Sequence, residues 1–344
     1  MSEAGTKIRV AINGFGRIGR TAFKIGFDKP EIEFVAINDL TDPPTLAHLL
    51  KHDTNYGTWD HDVKADGDSI IVDGRKVQVL AQKDPSLLPW KDLNIDIVIE
   101  STGRFTKEED LAVHINAGTK KVVLSAPLKE GKEAPTVVLG VNNDAAHGQT
   151  IIANASCTTN CIAPVAKVIH DTFGIEKAML TTTHSVTAEQ NLVDAPPPGT
   201  KSGDLRRARS AYQSIIPTST GATSAAAKAM PELEGIFTGV ALRVPTPVVS
   251  LSDFTFLLKK DVTVDEVNQA LRDATNDPRY QGILGVTDEE LVSIDFKGSA
   301  FSAIVDLPLT QVVGGNMVKV FAWYDNEWGY TNRLVEEVIL AGQS

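Results

Sequence analysis

The stretch Lys7-Ile8-Arg9-Val10-Ala11-Ile12-Asn13-Gly14-Phe15-Gly16-Arg17-Ile18-Gly19 decides how the first half of this chain folds. Lys7–Ile12 is a short apolar run that predicts a strand. It stops at a Gly-rich turn, and from Ile18 to Phe27 apolar residues recur at helical spacing. Gly14, Gly16 and Gly19 thus form G-x-G-x-x-G between a strand and a helix. In that setting the first glycine permits the tight turn, the second lets backbone approach a pyrophosphate, and the third allows close helix–strand packing. The pyrophosphate rests on the N–H groups of the helix start. A ligand-free Gly-rich turn would look the same over these residues, so the context decides. Asp39 lies 20 residues beyond Gly19, at the end of the next apolar run, Glu33–Asn38. A carboxylate there bonds the adenosine ribose hydroxyls and repels a 2′-phosphate, which predicts NAD rather than NADP.

Outward from this unit, Ile95–Ile99, Val122–Leu124 and Ile151–Ala153 are further short apolar runs separated by helical stretches. Repetition of this kind predicts an α/β, Rossmann-type doubly wound parallel sheet. After Cys157 the pattern changes. Ile162–Phe173 is helical, and strands then dominate: Met179–His184, Gly239–Val244, Val248–Leu257, Val292–Ile294, Ala303–Val305 and Met317–Tyr324. Alternation over Ser250–Phe256 suits a sheet with one buried face, so the second region reads as an α+β domain with a mostly antiparallel sheet. Thr263 to Glu266 matches a capping box opening the helix Asp265–Ala274, and a last amphipathic helix runs from about Thr331 to Leu340.

Composition excludes several classes of function. At 344 residues the chain exceeds what one core usually serves, and it is 42% hydrophobic and 22% charged, as globular chains are. A net charge of −11 repels nucleic acid and anionic membranes on average, and no basic stripe offsets it. Met1 to Thr6 is small and polar rather than leader-like, and no apolar run approaches the ~18 residues of a membrane span. The two cysteines, Cys157 and Cys161, can build no disulfide framework and match no metal spacing. The expectation is a cytoplasmic protein without a metal.

Cys157 lies in Ala155-Ser156-Cys157-Thr158-Thr159-Asn160-Cys161, where an apolar strand gives way to a helix. N–H groups of a first helical turn favour a thiolate, so the position predicts a nucleophile with a lowered pKa. Cys161, one turn later, reads as a small buried helix residue. Which of the seven histidines meets Cys157 does not follow from spacing; His184, closing Thr181-Thr182-Thr183-His184, is one candidate. A Cys–His pair beside NAD suits one chemistry: a thiol adds to an aldehyde, a histidine takes the hydroxyl proton as hydride leaves, and a thioester results. A thiol hydrolase would use Cys157 without the Gly14–Gly19 loop and Asp39, and a non-catalytic NAD-binding regulator would need neither Cys157 nor His184.

The chain resembles the phosphorylating glyceraldehyde-3-phosphate dehydrogenases. The resemblance rests on Ile12-Asn13-Gly14-Phe15-Gly16-Arg17-Ile18-Gly19-Arg20, Ser156-Cys157-Thr158-Thr159-Asn160-Cys161, Asp204-Leu205-Arg206-Arg207-Ala208-Arg209, Thr218-Ser219-Thr220-Gly221-Ala222, Arg243-Val244-Pro245-Thr246-Pro247 and Trp323-Tyr324-Asp325-Asn326-Glu327-Trp328-Gly329-Tyr330, in the family's order. It implies oxidation of D-glyceraldehyde 3-phosphate to 1,3-bisphosphoglycerate, with Cys157 as nucleophile and His184 as its general base. It further implies that Thr187 and Arg243 hold the substrate phosphate, and that Ser156, Thr158, Arg207, Thr220 and Gly221 hold attacking inorganic phosphate. For NAD it implies Arg17 and Ile18 at the phosphate loop, Asp39 at the ribose, Thr102 and Ser125 in the adenosine-side cleft, Asn326 at the nicotinamide carboxamide and Tyr330 near that ring. The family fold implies an NAD-binding domain over residues 1–156, a catalytic domain over 157–325, a C-terminal helix within 326–344 returning to the first domain, and a homotetramer. Erythrose-4-phosphate dehydrogenase, which passes a similar thioester to water, is the alternative; the Thr218–Ala222 run favours the phosphorylating enzyme.

One departure stands out. Pro196–Pro198 with Gly199 to Gly203 looks like a few residues added to a loop, and Ala195-Pro196 stands where family members strict for NAD carry Leu-Pro. A stiff Pro-rich addition disfavours a collapsed turn. Strong NAD preference with weak residual NADP use is expected.

Overall fold

The computed structural model describes residues 7–129, 134–197 and 204–343. The Met1–Thr6 segment and most of the added loop, Pro198 to Gly203, lie outside the described residues. The chain divides into two compact units, one of residues 1–137, 143–155 and 331–344, the other of residues 138–142 and 156–330.

The first unit is built on an eight-stranded sheet in the order Ile151–Ala153, Lys121–Leu124, Ile97–Glu100, Ile8–Asn13, Ile32–Asn38, Arg75–Leu80, Ser69–Val72, Val63–Asp66. The first six strands are mutually parallel and the last two close the edge as antiparallel hairpins. Parallel strands bury both faces, and Ile8–Asn13 obeys: Val10, Ala11, Ile12 and Asn13 are buried in succession. The helix Arg17–Phe27 lays Ala22, Phe23 and Phe27 on that sheet, where Phe23 stacks on Phe34 at 4.7 Å between ring centroids.

The second unit carries another eight-stranded sheet, ordered Ile216–Ser219, Phe237–Val244, Ile175–Ser185, Ser250–Leu258, Met317–Tyr324, Ala303–Asp306 and Leu284–Thr287, with Gln311–Val313 paired beside Met317–Tyr324. It is antiparallel except where Ile175–Ser185 meets Phe237–Val244 and Leu284–Thr287 meets Ala303–Asp306. Ser250–Leu258 alternates buried and half-buried residues without a break, as its sequence predicts. The buried face packs on the 17-residue helix Cys157–Phe173. That helix starts at Cys157 because the Ser156 hydroxyl accepts the Thr159 N–H at 3.1 Å, and it ends at Gly174, whose φ of +72° side chains avoid. Thr263 and Glu266 form the expected reciprocal cap.

One strand assignment is corrected. Ser293–Phe296 is a 3₁₀ turn, not a Val292–Ile294 strand, because the Asp295 carboxylate accepts the Val292 N–H at 2.8 Å and winds the segment on itself.

Candidate active site

In the first unit the Gly-rich turn borders a cavity of about 560 Å³, lined among others by Gly14, Gly16, Asp39, Leu40, Ser101 and Thr102. Gly14 adopts a φ of +93°, and a Cβ on it would lie 2.6 Å from the Thr102 nitrogen. A Cβ on Gly19 would lie 2.2 Å from the Gly14 oxygen, so both glycines are required by packing. Gly16 differs: a Cβ there would meet nothing within 4 Å, which leaves open the room that a closely approaching pyrophosphate needs. Arg17 and Ile18 are the first two helical residues, the positions whose N–H groups lie outside the intrahelical ladder. The Arg17 side chain is committed elsewhere, to Asp53 at 2.6 Å. Asp39 buttresses the turn, its two carboxylate oxygens accepting the Phe15 N–H at 2.8 Å and the Thr41 N–H at 2.9 Å. The Thr102 hydroxyl donates to Glu100 and accepts the Arg104 N–H at 3.1 Å, so its proton is turned away from the cavity. Ser125 follows the strand Lys121–Leu124, its N–H on the Glu100 carbonyl at 2.9 Å.

In the second unit, Cys157 Sγ lies 3.4 Å from His184 Nε2. His184 is buried near the end of Ile175–Ser185, and its Nδ1 lies 2.7 Å from the Ser185 carbonyl oxygen. A carbonyl only accepts, so the ring proton sits on Nδ1 and Nε2 turns its lone pair to the thiol. This is the tautomer a general base needs. Burial, with Arg243 adding to it, pushes His184 down to about 3, so the imidazole rests neutral.

The thiol departs from the expectation of a lowered pKa. Cys157 keeps part of its surface open to solvent, yet desolvation pushes its pKa up. Arg243 and the N–H and hydroxyl of Thr158 pull the other way without prevailing. The helix start acts as foreseen, but burial outweighs it. The resting pair is therefore thiol and neutral imidazole.

Arg243 pairs in register with His184 across the two parallel strands. Its Nη1 reaches Thr187 Oγ1 at 3.2 Å and the Ser185 carbonyl at 3.2 Å, while its buried Nε has no partner. Arg207 is near enough to depress both Arg243 and His184. Two guanidiniums held together, one with a buried unpaired N–H, make a place for an anion. Arg207 itself bonds Thr218 Oγ1 at 3.1 Å and Glu189 Oε1 at 3.1 Å. Thr220 Oγ1 accepts the Ala222 N–H at 3.1 Å, and Gly221 precedes the helix Ala222–Ala229. The Ala222 carbonyl accepts from Thr159 Oγ1 at 3.4 Å, which ties that turn to the start of the Cys157 helix.

Tyr324 belongs to the site although no motif singles it out for a role. Its hydroxyl stands 2.9 Å from both Thr158 Oγ1 and Thr182 Oγ1, and its ring meets His184 edge-on at 6.1 Å. The Thr158 hydroxyl thus links Tyr324 to the Cys157 thiol. The alternation of apolar and polar residues along Met317–Tyr324 puts Tyr324 on the buried face, and that pattern is the one sequence signal pointing to it. Asn326 is also buried. The Ser250 hydroxyl accepts the Ser185 N–H at 3.1 Å and donates to Asn326 Oδ1 at 3.0 Å, which leaves the Asn326 NH₂ as the group on offer. Tyr330 is buried within the helix Trp328–Gln343. No helix among the described residues is long and apolar enough to cross a membrane.

A parallel sheet with a dinucleotide-type turn, in a chain whose second unit presents a thiol–imidazole pair beside two arginines, defines an NAD-dependent oxidoreductase. The comparisons with known proteins agree. Residues 8–108 match the glyceraldehyde 3-phosphate dehydrogenase NAD binding domain and residues 156–326 the C-terminal domain of the same enzyme, and the chain belongs to the glyceraldehyde 3-phosphate dehydrogenase family. It is 51% identical over 331 residues to glyceraldehyde-3-phosphate dehydrogenase of Geobacillus stearothermophilus, covering 96% of each chain. It is 52% identical over 334 residues to glyceraldehyde-3-phosphate dehydrogenase 2 of Trichormus variabilis, covering 96% of this chain and 97% of that one. Against the Borreliella burgdorferi glyceraldehyde-3-phosphate dehydrogenase the identity is 49% over 336 residues, with 96% and 98% covered.

Proposed function

We propose that this protein oxidises D-glyceraldehyde 3-phosphate with NAD and inorganic phosphate to 1,3-bisphosphoglycerate. The observation that carries the reading is the 3.4 Å approach of Cys157 Sγ to His184 Nε2 beside the unpaired Arg243 Nε. As Sγ adds to the aldehyde carbon, His184 Nε2 takes the thiol proton and passes it to the forming oxyanion, so the hemithioacetal carries a hydroxyl and the imidazole is neutral again. Bound NAD supplies the hydride acceptor. When hydride leaves the carbon, the hydroxyl proton leaves too, through His184, and a thioester remains on Cys157. A phosphate oxygen then attacks the acyl carbon, the C–S bond breaks, and the thiol is restored.

Arg243 and Thr187 hold the substrate phosphate in this reading. Arg207, Ser156, Thr158, Thr220 and Gly221 receive inorganic phosphate. The cofactor is held by the Gly14–Gly19 turn, Arg17, Ile18, Asp39, Thr102 and Ser125, with Asn326 and Tyr330 at the nicotinamide. We further propose a cytoplasmic homotetramer. What supports assembly is the sheet face away from the Cys157 helix, where Met179, Val240 and Met317 are 68%, 50% and 48% exposed.

The test is NADH formation from glyceraldehyde 3-phosphate, with and without phosphate or arsenate, in the wild type and in Cys157→Ser. The reading expects turnover that needs both the anion and the thiol. Equal rates without phosphate would favour transfer to water and sink it.

A further inference from the structure

Behind the cofactor cavity runs a chain of buried polar side chains along the carboxyl ends of four adjacent parallel strands. At one end the Gln82 backbone, just past Arg75–Leu80, donates its N–H to Asn38 Oδ1 at 2.8 Å and accepts from Asn38 Nδ2 at 2.9 Å. Asn38 Nδ2 also donates to Asn13 Oδ1 at 2.7 Å, and Asn13 Nδ2 donates to Glu100 Oε2 at 2.6 Å. At the other end the Trp90 indole N–H meets His114 Nδ1 at 3.0 Å, and His114 Nε2 lies 3.2 Å from Glu100 Oε2. Thr102 adds its N–H, at 2.8 Å, and its hydroxyl to Glu100 Oε1. Glu100, His114 and Trp90 have no solvent exposure at all.

The direction of every bond is forced. A backbone N–H and C=O cannot exchange places, so Gln82 fixes the Asn38 amide, Asn38 fixes the Asn13 amide, and Asn13 must donate to residue 100. An indole N–H only donates, so His114 Nδ1 accepts, its proton sits on Nε2, and it too must donate to residue 100. The Thr102 N–H arrives from a third side. Donors converge on both oxygens, where an amide in place of the carboxyl would set its NH₂ against one of them. A buried polar group is expensive unless fully hydrogen-bonded, and here it is.

What this buried carboxyl group holds is the cofactor site. Asn13, Asn38, Gln82 and Thr102 belong to the chain and also line the cavity. Asn13 precedes Gly14, and Thr102 is the residue against which Gly14 packs. We propose that Glu100 is the positioning residue of the dinucleotide site: through Asn13 and Thr102 it sets the Gly-rich turn and the facing Ser101–Thr102 segment in their cofactor-accepting arrangement before the cofactor binds.

The experiment compares NAD affinity of the full-length apo protein, by titration calorimetry, in the wild type, Glu100→Gln and Leu111→Ala. Glutamine keeps the shape but turns an NH₂ toward Asn13 and His114, two donors whose orientation cannot reverse. The expected result is NAD binding weakened by about tenfold, with kcat at saturating NAD within about twofold of wild type. Leu111, buried on the same helix as His114 but outside the polar chain, is the control for general loss of stability. Should Glu100→Gln not fold, His114→Leu removes one donor from outside the cavity and is expected to weaken NAD by about threefold. Wild-type affinity in either polar variant, or equal weakening in a Leu111→Ala protein of matched melting temperature, overturns the proposal. Absence of NAD binding in the wild type would instead overturn the reading of the cavity itself.

Discussion

Arg243 and His184 are register partners on adjacent parallel strands, and Arg243 Nη1 lies 3.1 Å from His184 Nδ1. Because that nitrogen carries the proton donated to Ser185, the contact is a repulsion rather than a bond. It is one reason the imidazole stays neutral, so beside the anion-holding role proposed for it Arg243 also keeps His184 unprotonated.

Substitution of Arg243 by glutamine should therefore act first on substrate binding. A charge-assisted hydrogen bond to phosphate is worth about 1.5–3 kcal/mol, so KM for glyceraldehyde 3-phosphate should rise by about 10- to 100-fold. Steady-state kinetics at saturating NAD and phosphate check this. A KM equal to that of the wild type would remove Arg243 from the substrate site.

The neutral, buried His184 also shapes acid stability. Its folded pKa, about 3, lies below its ordinary value of 6.5, so between these the unfolded chain binds the extra proton. Stability from this group is complete above about pH 6.5 and drains away as pH falls towards 3, at up to about 1.4 kcal/mol per pH unit. Denaturant unfolding of the wild type and His184→Asn between pH 7 and pH 5 should show the wild type losing more. Parallel losses would mean that His184 is already charged in the native protein.

The same His184→Asn variant should lower kcat by about 10²- to 10⁴-fold, the usual worth of a positioned base, and leave NAD affinity near that of the wild type. A pre-steady-state burst of NADH would show which step has slowed. Retention of full kcat would remove His184 from the proton path.

Glu189 occupies Arg207 with an exposed ion pair, 3.1 Å long. An incoming phosphate competes with that carboxylate, so Glu189→Gln should lower the KM for inorganic phosphate. Exposed pairs are worth at most about 1 kcal/mol, which limits the gain to about fivefold. A raised KM would show instead that Glu189 helps to aim Arg207.

The frame of both units was legible because it rests on local patterns. The Gly-rich turn between a strand and a helix, the alternation in Ser250–Leu258 and the Thr263–Glu266 cap each declare themselves within a few residues. Val292–Ile294 misled for the same reason: three residues of strand-like character carry less weight than one aspartate returning to the backbone. Cys157 was visible as a residue at a junction, whereas the direction of its pKa shift was not, since the helix start is local and the desolvation opposing it exists only once the chain has folded around the thiol. Tyr324 and Glu100 were not legible in this way, because a buried polar group has meaning only once its partners are known. Those partners lie 142 and 166 residues away for Tyr324, and Asn13, which ties Glu100 to the Gly-rich turn, lies 87 away.

Ser156 fixes where the long helix begins, and Cys157 is its first residue. The sulfur is thereby attached to a long, mostly buried helix, while Glu189 and Arg207 stand at a solvent-facing rim. Variation in anion preference can accumulate at that rim without moving the sulfur. Drift at Ser156 has no such freedom, since shifting the first turn would carry the Cys157 thiol away from His184.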